Sequence, residues 1–197
     1  MSINILAVSG SMREYSHSAQ LCRIVLEECQ FFGAQTRLLD LAELDLPMFH
    51  SPNHLPDHAG LNYAMESVQW ADAIFLVSPD YHGSLSGALK NFMDYHWSAY
   101  AGKLFGYGCI SLEKGLTVMD QMRTAIRQCY GWSMPYGISV DSGQDFDDDG
   151  NLSNTIMQQR ARMLARDLTH YGALLRKQFQ QDLKSDSTNT FAAKYRK

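Results

Sequence analysis

Ser9-Gly10-Ser11-Met12-Arg13-Glu14-Tyr15-Ser16-His17-Ser18 follows directly on the apolar run from Ile3 to Val8 and leads into a segment where Leu21, Cys22, Val25, Cys29 and Phe32 recur at helical spacing. The run is rich in β-branched residues and too short for a helix of its own, so the order reads strand, polar turn, helix. Such a turn aims the unpaired N–H groups of the helix's first residues at one spot, where the helix dipole favours negative charge. Ser11, Ser16 and Ser18 add hydroxyl donors, and Arg13 adds a charged fork suited to phosphate oxygens. The stretch therefore reads as a phosphate-gripping turn for a nucleotide or a flavin. An ordinary helix N-terminus, with Ser16 or Ser18 as cap and Arg13 in water, satisfies the same residues. Neither G-x-x-x-x-G-K-[ST] nor G-x-G-x-x-G is present, and Gly10 stands alone. Hydroxyls replace the glycines and lysine of those loops, which favours a monophosphate.

With 197 residues, 45% of them hydrophobic, the chain is long enough for one domain with a substantial core. A formal net charge of -4 and the lack of a basic stripe exclude a nucleic-acid footprint and leave small-molecule chemistry. Polar Ser2 and Asn4 follow the start, and no basic region precedes an apolar one, so no secretory signal is expected. No uncharged stretch reaches membrane-spanning length, and the cytoplasm is the expected location. Cys22, Cys29, Cys109 and Cys129 form no C-x-x-C pair, sit within apolar patterns, and read as small core residues.

Further along, Gln35 to Leu41 reads as a second strand, and Pro47, Pro52 and Pro56 make Leu44 to Gly60 an irregular loop. His50, His54 and His58 would share one helical face, but the prolines forbid that helix, so the segment reads as a solvated or substrate-covering loop with no metal. Leu61, Ala64, Met65 and Val68 mark a helix, and Ala73 to Ser78 is a continuous apolar strand of the buried parallel kind. Ser86 to Trp97 looks helical, Leu104 to Ser111 is a fourth strand, and Val118, Met122, Ala125, Ile126 and Cys129 mark another helix. Tyr136 to Val140 supplies a fifth strand, and Met157, Ala161, Leu164, Leu168, Tyr171 and Leu175 form the face of a final helix. Five alternations of strand and helix predict an α/β domain, a five-stranded parallel sheet with helices on both faces. The domain is expected to span residues 1–178, with 179–197 a mobile tail partly docked through Phe191 and Tyr195.

In such a sheet ligands sit at the carboxyl ends of the strands flanking the topological switch, here the first and third. The third strand ends in Ser78-Pro79-Asp80-Tyr81-His82-Gly83-Ser84-Leu85-Ser86-Gly87. Pro79 sets a bend, and Gly83 and Gly87 permit close backbone approach, so a flat ring can lie against the main chain. Tyr81 can lean on that ring, and His82 or Ser84 can bond its polar edge. Read blandly, the same residues make a strand-to-helix loop capped by Ser86.

The two segments together resemble the NADPH-dependent FMN reductase family of flavodoxin-like proteins, which includes quinone, azo-dye and chromate reductases. The family's G-S-x-R-x-x-S-x-N pattern matches Gly10, Ser11, Arg13 and Ser16, with Ser18 where asparagine is common. Its P-E-Y-N-G-S-x-P-G-x-L-K-N pattern matches Pro79, Tyr81, Gly83, Ser84, Gly87, Leu89, Lys90 and Asn91. Asp80 replaces the usual glutamate, His82 the usual asparagine, and Ser111-Leu112-Glu113-Lys114-Gly115 a glycine-rich loop. The resemblance runs on through the acidic turn Phe146 to Leu152, where Asp145, Asp147, Asp149 and Gly150 suggest calcium but Ile156 stands where an EF-hand needs glutamate.

The resemblance implies a flavodoxin-like three-layer sandwich of strand order 2-1-3-4-5. It implies FMN, with its phosphate at Ser11, Arg13, Ser16, His17 and Ser18 and its ring on Pro79 to Ser84; Ser9, Ser111 and Lys114 complete the expected set. It implies NADPH or NADH as co-substrate, ping-pong transfer to a quinone, free flavin or similar small acceptor, and no side-chain acid or nucleophile. A flavodoxin-like carrier or redox sensor without NAD(P)H turnover is the alternative, and a charge of only -4 speaks against it. The aromatic stretch Phe92, Met93, Tyr95, Trp97 and Tyr100 adjoins the ring site, and the resemblance implies a homodimer or homotetramer paired there.

Overall fold

The computed structural model describes residues 2–196. The first apolar run forms β1 (Asn4–Ser9), followed by α1 (His17–Phe31), β2 (Gln35–Asp40), the single turn α2 (Leu41–Leu44) and α3 (Ala59–Trp70). Then come β3 (Ala73–Pro79), α4 (Gly87–Asp94), β4 (Leu104–Ile110), α5 (Leu116–Gln128), β5 (Trp132–Ser133), β6 (Ile138–Val140) and α6 (Thr155–Lys184). All strand pairs are parallel, and the order is β2-β1-β3-β4-β5 with β6 also on β4, the doubly wound order expected.

Alternation along β1 and β3 divides the interior into two cores. Ile5, Ala7, Phe75 and Val77 pack under α1 and α6 with Leu21, Val25, Leu164 and Leu168. Leu6, Val8, Ile74 and Leu76 face the other way, onto Val68 of α3, Phe92 of α4 and Val118 and Met122 of α5. Every residue of β3 is buried, as a central strand covered on both faces requires.

The fifth strand position is filled by two short pieces rather than the one predicted over Tyr136 to Val140. β5 pairs with Leu104 and Phe105, and β6 with Gly108 to Ile110. Pro135 lies between them and has no N–H to give the ladder. A Cβ on Gly137 would stand 2.6 Å from the Tyr107 carbonyl, so the chain passes this point only as glycine.

Two helices end differently from their pattern. α4 stops at Asp94, and Ser98–Tyr100 forms a separate 3-10 turn. α6 runs through the boundary expected at 178, and Phe191–Tyr195 folds back as a 3-10 turn that sets Phe191 and Tyr195 around Phe179 at ring-centroid distances of 6.0 and 6.1 Å. Of the aromatic stretch before it, Phe92, Met93, Tyr95 and Tyr100 are buried, while Trp97 is exposed. The loop of 45–58 has no regular structure; Asn91 and Tyr95 both donate to the Pro47 carbonyl, and Asn91 Oδ1 accepts from Phe49 N at 2.7 Å. His58 caps α3, its Nδ1 accepting from Leu61 N. Among the described residues no helix is long and apolar enough to cross a membrane.

Candidate functional site

The turn after β1 stands over the central strands because of one close approach. Gly10 N donates to the Val77 carbonyl at 2.8 Å, and a Cβ on Gly10 would fall 2.8 Å from Leu89 Cβ and 2.9 Å from that carbonyl. Ser86 closes the junction: its hydroxyl donates to the Gly10 carbonyl at 2.6 Å and accepts from Leu89 N at 3.1 Å, capping α4. Its own N–H goes to Ser78 Oγ at 2.9 Å. One buried serine thus ties the loop of β1 to the loop of β3.

Within the first loop, Ser11 Oγ accepts from Arg13 N and Ser16 Oγ accepts from Ala19 N, each at 3.2 Å. Ser16 is therefore the helix cap, and this does not exclude a ligand. A hydroxyl has one proton to donate as well as two lone pairs, and neither proton has an acceptor among the described residues. The amides of His17 and Ser18 are the first of α1, which the helix cannot satisfy. Arg13 is exposed and makes no ion pair among the described residues. His17 stacks on Phe146, ring centroids 4.5 Å apart, so the acidic turn braces the start of α1.

The turn after β3 is a four-residue hairpin: Tyr81 and Ser84 exchange backbone hydrogen bonds, with His82 at φ 59° and Gly83 at φ 77° between them. Positive φ at both central residues is the type I′ geometry, which favours Asn-Gly. Histidine is among the few other residues that tolerate it, which explains His82 where the related pattern has asparagine. Asp80 holds the turn shut: Oδ1 accepts from Gly83 N at 2.8 Å and Oδ2 from the Ser111 hydroxyl at 2.9 Å. The Ser84 hydroxyl donates to Gln121 Oε1 at 2.9 Å, and Gln121 Nε2 donates back to the Gly83 carbonyl. Asp80, Ser84 and Ser111 are thus committed to the protein's own frame.

These loops enclose a cleft of about 470 Å³ at the carboxyl ends of β1, β3 and β4. Of the residues singled out in the sequence, Ser11, Arg13, Ser16, His17 and Ser18 line it from the first loop, Pro79, Asp80 and Tyr81 from the second, and Ser111 from the third. Ser9, His82, Gly83, Ser84 and Lys114 do not. Ser9 is fully buried beneath the loop, His82 to Ser84 form the tip of the hairpin with the Gly83 amide spent on Asp80, and Lys114 lines the neighbouring cleft. Glu14, Tyr15, Ile110, Leu112 and Ser142 also line the cleft, and no motif pointed to them. Ser86, Gln121 and Phe146 were missed as supports; only Ser86 carried a signal, as a helix cap.

The lining includes Arg13 and Glu14 from the first loop and the apolar Pro79, Ile110 and Leu112 from the others. Cys109, one residue before the Ile110 wall, is no nucleophile: burial, with Asp80 nearby, pushes its thiol up to about 12. A group with a phosphate monoester on a flat ring fits this donor set and these walls.

An FMN-dependent NADPH-azoreductase of Staphylococcus aureus (strain USA300) is 28% identical over 176 residues, covering 84% of this chain and 93% of that protein. Among solved structures, FerB of Paracoccus denitrificans, a flavoenzyme NAD(P)H:(acceptor) oxidoreductase, superposes with a TM-score of 0.70 at 14% identity, covering 87% of this chain and 98% of its own. The flavodoxin, WrbA-like protein of Agrobacterium tumefaciens superposes with a TM-score of 0.62 at 18% identity, covering 88% and 99%. At these identities the likeness is one of fold. The sequence model of the NADPH-dependent FMN reductase family matches residues 3–145, a span that includes every residue lining the cleft, and the chain belongs to this family of oxidoreductases.

Proposed function

We propose that the cleft holds FMN and that the enzyme works by a ping-pong cycle, from NAD(P)H to a quinone, free flavin or similar small acceptor. The observation that carries this reading is the single cleft joining unspent donors at the start of α1 to the Pro79-Tyr81 turn, at the switch point of the sheet. FMN, when bound, supplies the hydride acceptance and electron release. The protein's residues supply position and field.

Ser11 and Ser16 donate their free hydroxyl protons to the phosphate, Arg13 closes over it from solvent, and the amides of His17 and Ser18 complete the grip. Hydrogen bonds to a charged group are worth about 1.5–3 kcal/mol each, whereas association costs about 4–15 kcal/mol. Four or five such contacts do not hold FMN tightly, so the ring must contribute through Pro79, Tyr81, Ile110 and Leu112. Asp80, fixed by Gly83 and Ser111, sets the shape of the ring-binding turn without itself needing to touch the ring.

All four cysteines are free, three of them buried, which fits the reducing cytoplasm we assign it. We also assign a homodimer or homotetramer. The purified protein is expected to be yellow and to bleach on stopped-flow mixing with NADPH, and to give parallel double-reciprocal lines with NADPH and a quinone. A protein that binds FMN but does not bleach would be a carrier; converging lines would exclude ping-pong transfer.

A further inference from the structure

A cleft of about 750 Å³ lies at the edge of the sheet, lined by α5, by β5 and by Phe191 of the folded-back carboxyl end, and it shares no lining residue with the proposed FMN cleft. β5 pairs with Leu104 and Phe105 at the start of β4, whereas Ile110 at the end of β4 lines the FMN cleft. The two clefts are therefore separate, at opposite ends of one strand.

Three aromatic rings line this cleft from three different elements. Tyr130 comes from the turn after α5, Trp132 from β5 and Phe191 from the carboxyl-terminal turn, with 49%, 53% and 38% of each exposed. Tyr130 and Phe191 meet at a centroid distance of 5.7 Å, which joins turn and tail into one wall. Exposed rings gathered in a concave site of this size are what a flat apolar ligand needs. Tyr130 also stands at φ 62°, with its N–H on the Arg127 carbonyl and that of Gly131 on the Ile126 carbonyl. This is the left-handed end of a helix, ordinarily filled by glycine or asparagine. A bulky ring held there carries backbone strain, and such strain clusters at ligand-binding positions.

The charges of the wall leave one cation over. Asp120 is paired with Arg123 at 2.8 Å, and that guanidinium also lies 5.3 Å from the Tyr107 ring centroid. Arg127, in the last turn of α5, makes no ion pair among the described residues. The carboxyl end of the helix favours a cation there, and its planar fork matches a carboxylate. With the one acid of the wall already paired, a cationic ligand has no counter-charge here.

We propose that this cleft binds a planar aromatic carboxylate, with its ring among Tyr130, Trp132 and Phe191 and its carboxylate on Arg127. The site needs neither FMN nor the reaction assigned to the other cleft, so its failure would leave the proposed function untouched.

The test uses the full chain saturated with FMN, so that the other cleft is filled, and two probes of equal size, 2-naphthoate and the uncharged 2-naphthamide. In titration calorimetry the parent is expected to bind the naphthoate at least fivefold more tightly than the amide. Arg127→Gln should remove most of that difference while leaving amide binding in place, and Trp132→Ala should weaken both probes at least fivefold. In nitrogen-15 spectra the indole N–H of Trp132 should shift on naphthoate addition, while those of Trp70 and Trp97 stay in place. Equal binding of the two probes by the parent, a preference unmoved by Arg127→Gln, or binding that leaves the Trp132 indole unshifted overturns the inference. So does a Trp132 signal that moves with protein concentration alone in a chain that binds neither probe, because a second copy would then fill the cleft.

Discussion

A serine hydroxyl has one proton to give, and where that proton goes sorts the serines of this cleft. Ser84 and Ser111 give theirs to Gln121 and Asp80, whereas those of Ser11 and Ser16 are unspent. Ser11→Ala and Arg13→Ala should therefore each weaken FMN retention by roughly ten- to a hundredfold, the loss of one charged hydrogen bond, with an unchanged unfolding midpoint. Fluorescence quenching on FMN titration reads this directly, and parent-like retention in both variants would remove the phosphate assignment. Glu14 is the one acid on the lip of that loop. Neutralising it as Glu14→Gln should tighten FMN by up to about fivefold, some 1 kcal/mol of relieved repulsion at a helix N-terminus. At His82 the backbone decides: His82→Asn should be tolerated, and His82→Val should cost about 1–2 kcal/mol because a β-branched residue is forced to φ 59°. Thermal unfolding of the two variants tests the difference.

At the scale of elements, the site depends on two loops holding one another. Through its hydroxyl and its N–H, Ser86 makes three hydrogen bonds, to Gly10, Leu89 and Ser78. Ser86→Ala keeps the backbone bonds to Ser78 and Lys90 but loses both made by the hydroxyl, which leaves the Gly10 carbonyl without that donor and uncaps α4. It should cost about 1–3 kcal/mol in urea unfolding and also weaken FMN binding, although Ser86 does not line the cleft. That combined loss distinguishes a support from a ligand-binding residue. The carboxyl-terminal elements are joined in the same manner: Tyr130, at φ 62° after α5, meets Phe191 and Tyr195 at centroid distances of 5.7 and 6.5 Å. The apolar face of α6 reads only to Leu175 in the sequence, because beyond it Lys177, Gln178, Gln180 and Gln181 break the apolar pattern around Phe179. What continues α6 is the contact of Phe179 with the folded-back end, a partner that periodicity does not see.

For the whole molecule, the clearest pH dependence comes from the end of the sheet away from the cleft. His96 is buried against Phe92 and Tyr100, with centroids at 4.7 and 5.5 Å, and its Nε2 has no hydrogen-bond partner. Burial, reinforced by Lys103, lowers its pKa to about 4 from 6.5. The unfolded chain then binds more protons between these values, so stability falls as pH drops from 6.5 towards 4. At most about 3 kcal/mol is lost, at 1.36 kcal/mol per unit. His96→Phe should flatten this limb of the stability–pH curve; an unchanged slope would place the acid sensitivity elsewhere. Lys103, bonded to the Ala71 carbonyl just past α3, is lowered by burial to about 8 and acts at the other end of the range. By the same sign its contribution rises with pH from about 8 towards 10.5.

Local information sufficed for the layers and the loops. An apolar run of strand length, a polar turn and a helical face are properties of neighbours in the chain, so β1, β3, β4 and the turn between β1 and α1 could be read from their own residues. A serine cap at Ser16 or Ser18 could be read as well, and the structure puts it at Ser16. The broken fifth strand could not, because its pieces are defined by which parts of β4 they meet, and the crowding of Gly137 against the Tyr107 carbonyl exists only in the assembled sheet. The residues of the cleft divide along the same line. Composition and spacing named the groups that can grip a phosphate, since a hydroxyl or guanidinium carries its chemistry wherever it lies. Whether each group is free to act depends on partners far away in the chain: Asp80 for Ser111, Gln121 for Ser84, Phe146 for His17, and the position of the β4 loop for Lys114. The chain alone determined the chemistry on offer; tertiary packing decided which of it is already spent, because a hydrogen bond made within the protein is one that a ligand cannot have.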